Sequence, residues 1–220
     1  MKHVDSDTYS IAWFKLADCI ARGEKERALG VFRLLSHSFD DSALAAQLYG
    51  DILRSFKDPA AREKYEQAAQ LYRERKRWIE AAAVYEHIIS LEPENYDVRM
   101  ELIELYQHLH IRSKVMQYVQ ELMDALLAKN EWQQAIEICG RFDTAGDPTF
   151  TATLHERILF HLLTQKNILP ETMLSHAQQA IDAWNMVHNS TAVTNLLSKL
   201  KAAHETVAEH AQAYAARVTT

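Results

Sequence analysis

The chain has 220 residues, 48% of them hydrophobic and 25% charged, with a formal net charge of −6. Glycine and proline together supply only 9 residues, roughly a third of ordinary usage, which argues against sheets and long loops and for an all-α fold. Both signs of charge are interspersed along the chain, so the field of the whole molecule favours neither nucleic acid nor an anionic membrane.

The opening MKHVDSDTYS has no apolar stretch of the kind a secretory signal needs, and no run approaches the ~18 apolar residues that span a bilayer. A cytoplasmic protein that is not integral to a membrane is the expectation. Apolar residues recurring at intervals of three and four predict about eleven helices. The first two cover 8–22 and 25–38, joined at Gly23, and a third covers 41–56. Asp58-Pro59 then supplies a cap and a first turn for 59–76, since proline suits the start of a helix. Helix 78–91 ends before Pro93, and 95–109, 112–129 and 132–142 follow. Asp147-Pro148 opens 148–165 and Pro170 opens 171–187. Ser190 is the expected cap of a final helix over 190–218, about 42 Å long at 1.5 Å per residue. Cys19 and Cys139 lie far apart on apolar positions and read as small buried hydrophobes, with no disulfide framework.

Internal repeats decide the architecture. Within 62–95, the residues Tyr65, Ala68, Ala69, Tyr72, Ala81, Tyr85, Ile88 and Pro93 alternate large and small at the spacing of a 34-residue helical hairpin. This window resembles a tetratricopeptide (TPR) repeat. A one-sided hairpin cannot bury its apolar face alone and must stack on neighbours. The resemblance therefore implies a TPR-like right-handed superhelix of stacked antiparallel helices with a concave binding surface. A second periodicity runs through the turns. Gly23-Glu24-Lys25-Glu26-Arg27-Ala28 recurs as Lys76-Arg77-Trp78-Ile79-Glu80-Ala81 and as Asn130-Glu131-Trp132-Gln133-Gln134-Ala135, with the alanines 53 and 54 residues apart. A shift of 54 lays Leu48 on Leu102, Ile52 on Tyr106, Ala61 on Val115, Tyr65 on Val119, Tyr72 on Leu126 and Tyr85 on Cys139. The unit is then a group of three helices in which the middle one, such as 59–76, serves two hairpins. Over 8–142 this looks like the continuous stacks of the SNAP-type membrane-fusion adaptors. The expected division is 1–146 as TPR-like repeats and 147–220 as a divergent three-helix unit ending in a long capping or coiled-coil helix.

Mapped on the first helices of the best repeat, the concave face carries Glu66, Gln70, Arg73, Met100, Glu104 and His108. Acidic and neutral groups with one Met and one His suit a peptide or helix bearing basic and apolar side chains. The TPR domains that clamp a chaperone's C-terminal carboxylate need Lys, Arg and Asn at such positions, which disfavours that partner. The bland reading is the solvated face of amphipathic helices. Arg73-Glu74-Arg75-Lys76-Arg77 is the basic cluster of the chain; it reads as a helix end complementing the dipole, since no aromatic residues interleave with it as a nucleic-acid platform requires. Trp78 is expected to plug the hairpin turn, as Trp132 repeats its placement. His155 with His161 and His204 with His210 are six apart and His108 with His110 two apart, whereas a helical metal pair wants four. Neither metal nor cofactor is expected. The sequence holds no phosphate loop, nucleophile elbow or paired-carboxylate pattern, so a scaffold, adaptor or chaperone-like role is expected and an enzyme is not. A structural module that self-assembles is the alternative. For it the last helix matters: Val193, Leu197, Leu200, His204, Val207, Ala211, Tyr214 and Val218 alternate by four and three, as in a coiled-coil seam. That seam either packs on 148–165 and 171–187 or pairs with a second copy. In a homodimer, His204 would weaken the contact below about pH 6.5 as it gains charge.

Overall fold

The computed structural model describes residues 6–142, 147–166 and 168–218, and among them there are twelve helices and no strand. They are α1 (Ser6–Ala21), α2 (Lys25–Ser36), α3 (Ser42–Ser55), α4 (Ala61–Glu74), α5 (Trp78–Leu91), α6 (Tyr96–His108), α7 (Arg112–Ala128), α8 (Trp132–Phe142), α9 (Pro148–Leu162), α10 (Pro170–Met186), α11 (Ser190–Ala203) and α12 (Glu205–Val218). The chain divides into two compact units, residues 1–112 and 113–220, so the division falls inside the array expected over 1–146.

The helices end as the spacing of the turns requires. Among the described residues six stand at positive φ: Gly23, Lys57, Lys76, His110, Asn130 and His188. At each, that residue donates its N–H to the carbonyl three residues back and the next residue donates to the carbonyl five back, as Lys76 to Arg73 and Arg77 to Tyr72, both at 2.9 Å. This is the Schellman closure, which satisfies the last carbonyls of a helix. Positions 23, 76 and 130 are 53 and 54 apart, and 57 and 110 are 53 apart, so the backbone repeats with the period of the alanines. Ala28, Ala81 and Ala135 follow five residues after three of these turns, and each is 0% exposed.

In the first unit α1 packs on α2, α3 on α4, α4 also on α5, and α5 on α6. The middle helix α4 does serve two neighbours, and its residues Tyr65, Ala68, Ala69 and Tyr72 are buried. Both tyrosines keep their hydroxyls satisfied, Tyr65 donating to Asp51 at 2.7 Å and Tyr72 to Gln47 at 2.8 Å. Burial and the Asp51 carboxylate push the Tyr65 hydroxyl well above the ordinary tyrosine pKa. Asp41 caps α3, accepting from the Ala43 and Leu44 amides, and Asn95 caps α6 through Val98. Ala69 and Ala81 are both fully buried on helices that pack on each other, so Ala81→Leu is expected to overpack the interior and cost about 1–3 kcal/mol. Urea unfolding measures it, and an unchanged midpoint would place the helix seam elsewhere.

In the second unit α8 packs on α9, α9 on α10, and α10 on both α11 and α12, which also pack on each other. Asp147 caps α9 through the Phe150 amide at 3.1 Å. The single helix expected over 190–218 is two helices: His204 sits at φ −157° and ψ 97° and breaks it. Lys201 stands in the last turn of α11 and Glu205 in the first turn of α12, signs compatible with a helix end followed by a helix start. His204 caps α12, its Nδ1 accepting from the Val207 amide at 3.4 Å. The cap of α11 is Asn189 rather than Ser190, accepting from Ala192 at 3.1 Å. The region expected as a three-helix unit after residue 147 thus holds four.

Candidate protein-binding surface

The six residues expected on the binding face stand on α4 (Glu66, Gln70, Arg73) and α6 (Met100, Glu104, His108), both within the first unit. Glu66, Gln70, Glu104 and His108 are exposed, while Arg73 and Met100 are half-buried. The structure joins the two helices at one point that spacing did not identify: the Arg73 guanidinium pairs with Glu101 of α6 and donates to the Tyr85 hydroxyl at 3.2 Å. Those bonds raise the arginine above its ordinary pKa, the one to Tyr85 first, so Arg73 stays a fixed cation among carboxylates. Glu66 accepts from Arg62 at 3.0 Å, and Arg62 also reaches Glu92, just past the end of α5, at 3.1 Å. Gln70 donates to Glu74 at 3.1 Å. His108 does not stand in open groove: its ring meets the Trp78 indole edge-on at 4.7 Å, which also gives Trp78 its place at the start of α5.

The basic cluster is engaged by carboxylates. Arg75 and Arg77 both pair with Asp41, Arg77 also with Glu80 at 2.9 Å, and the Arg77 guanidinium lies 4.6 Å from the Tyr72 ring centre. Burial works against the ionised Asp41, yet the hydrogen bonds from Arg77 and from the Leu44 and Ala43 amides hold its carboxyl below the ordinary range. Lys76 occupies the left-handed turn position. The cluster is therefore a set of ties between α3, α4 and α5.

The residues of the expected seam divide. Leu200 and Val207 are buried, but Leu197 is half-buried and the neighbouring Leu196 takes its place in the core. Tyr214 donates to the Asp182 carboxylate of α10 at 2.7 Å, and His204 sits at the break rather than in a continuous stripe. A buried histidine pair between helices also escaped the spacing argument: His155 of α9 and His176 of α10 have their Nδ1 atoms 2.8 Å apart, one donating and the other accepting. Cys139 of α8 is buried beside them, its Sγ 3.8 Å from the His155 Nε2. No group of three His, Cys, Asp or Glu side chains among the described residues is placed to hold a metal ion. Cys19, expected to be buried, is half-buried. No described helix is long and apolar enough to cross a membrane.

No family model and no curated protein matches the chain. Solved structures do align with it. BtubC (BKLC) from P. vanneervenii is 15% identical, with 93% of this chain and 89% of that one covered and a TM-score of 0.37. A candidate kinesin light chain of Podosopora anserina, with nearly identical TPR-like repeats, is 12% identical over 96% and 95% of the two chains, with a TM-score of 0.38. PilF of Pseudomonas aeruginosa is 15% identical over 94% and 97%, with a TM-score of 0.30.

Proposed function

We propose that the chain is a protein-interaction scaffold, not an enzyme, and that the surface shared by α4 and α6 holds a segment carrying basic and apolar side chains. The observation that supports this most is the Arg73–Glu101 pair, which ties together two helices that carry the exposed Glu66 and Glu104 and the half-buried Met100. Carboxylates around an apolar spot attract a cationic partner and select against an acidic one. Met100 supplies an adaptable contact for an aliphatic side chain.

Reversing both Glu66 and Glu104 to Lys is expected to weaken a labelled Lys/Leu amphipathic peptide about tenfold in fluorescence anisotropy, with circular dichroism unchanged. Undiminished binding by a folded variant would remove the site from α4 and α6.

The C-terminal helices serve as a cap of their own unit. Leu196 and Leu200 of α11, and Val207 and Ala211 of α12, are buried within their own unit, and Tyr214 is tied to α10. A homodimer through this seam would need those side chains on the surface.

A further inference from the structure

We propose that the α1–α2 hairpin carries a second docking groove, separate from the α4–α6 surface and of opposite charge preference, and that its occupant is an acidic amphipathic helix of another protein. The groove has a volume of about 680 Å³ and is lined by one stripe from each helix. From α1 come Lys15, Asp18 and Cys19, with Arg22 just past its end, and from α2 Arg27, Gly30, Val31 and Leu34, at the three- and four-residue spacing of a single helix face. Gly30 keeps the site open: a Cβ built there meets nothing within 4 Å, so a ligand side chain can come close to the α2 backbone at that point.

Leu34 of the lining is 76% accessible, and on α1, beyond the lining, Phe14 and Ile11 are 76% and 55% accessible. Phe14 and Ile11 stand one turn before Asp18 and Lys15 and so extend the α1 stripe. Exposed large apolar side chains gathered at a concave site mark a contact surface. Charge selects the occupant. Asp18 and Glu24 are matched internally, by Arg22 at 3.0 Å and Arg27 at 2.9 Å. Lys15 and Arg33, the remaining charged residues of the lining, are the positive excess. A helix with a Leu stripe between glutamates meets both demands, laying its apolar side into the channel and its carboxylates against Lys15 and Arg33.

The test uses the full chain and two fluorescein-labelled 14-residue helical peptides with the same Leu stripe, one filled with Glu and one with Lys. The Glu peptide is expected to bind, more weakly as salt rises, and to slow alkylation of Cys19. Gly30→Leu fills the channel and is expected to reduce binding at least tenfold while leaving the melting temperature no lower, because leucine is the better helix former. The double variant Phe14→Ser/Leu34→Ser is expected to lose binding similarly. The Glu66→Lys/Glu104→Lys variant is expected to bind the Glu peptide as the native chain does, which separates this groove from the α4–α6 surface. Protection of Cys19 from alkylation by the Lys peptide as strong as by the Glu peptide, or full binding of the Glu peptide by folded Gly30→Leu, would overturn the proposal. So would a concentration-dependent dimer that Gly30→Leu abolishes in sedimentation, since the occupant would then be a second copy.

Discussion

Gly50→Ala is expected to lower stability by about 1–3 kcal/mol, although alanine ordinarily favours a helix interior by about 1 kcal/mol over glycine. The reason is the approach of α4 to α3. A Cβ on Gly50 would lie 2.8 Å from the Tyr65 ring, and that ring is not free to yield. It is fully buried, its hydroxyl is bonded to Asp51, and its face stacks on the His87 ring at 5.4 Å between centres. His87 in turn is held by Arg54 at 2.8 Å. The strain therefore has to be taken up by the helices themselves. Gly30→Ala provides the control, since the open space around that position lets the helical preference act alone, and a gain of about 0.5–1 kcal/mol is expected. Urea unfolding of the two variants should move in opposite directions. Shifts of the same sign would show that α3 and α4 are not in this close register.

Ending the chain at Asn189 is expected to leave a protein that aggregates, not a clean monomer. The deletion strips Val193, Leu196, Leu200 and Val207 from the second unit, all buried, and each such side chain contributes about 1.5–3 kcal/mol when removed from water. A loss of several of these is comparable with the stability of an entire domain. It also uncovers α10, whose Ala177, Ala180 and Ile181 are 0% exposed, and breaks the Tyr214–Asp182 tie. Light scattering of the full and shortened chains reads the outcome. A full-length dimer that becomes a well-folded monomer on truncation would instead make α11 and α12 an assembly device.

Most helices were legible because their signals are local. The Asp147-Pro148 pair, the apolar spacing of three and four, and the recurring turn before Ala28, Ala81 and Ala135 all act within one or two turns of chain. The fused helix at 190–218 shows where that reasoning fails. The alternation from Val193 to Val218 passes through His204 without a flaw, and Lys201 and Glu205, four apart with opposite signs, suit an unbroken helix as well as two helix ends. The site was legible as a face but not as a set of bonds. Glu66, Gln70 and Glu104 follow from helical spacing, whereas Arg73 meeting Glu101, His108 meeting Trp78, and His155 meeting His176 depend on which helices become neighbours. Side chains 21 to 30 residues apart in sequence carry no mark of that encounter.

The left-handed turns have a further consequence for how this chain can be taken apart. Five of the six hold residues with side chains, namely Lys57, Lys76, His110, Asn130 and His188. A side chain in that conformation costs on the order of 1 kcal/mol, with asparagine the mildest case. The turns are thus not springs that fold the hairpins; the stacked helices hold the turns in place against their own preference. A three-helix segment excised at the 53-residue period would keep its spacing and lose the neighbours that enforce it. The period describes a pattern of construction, and the pieces it marks out are not spare parts that can be exchanged or grafted singly.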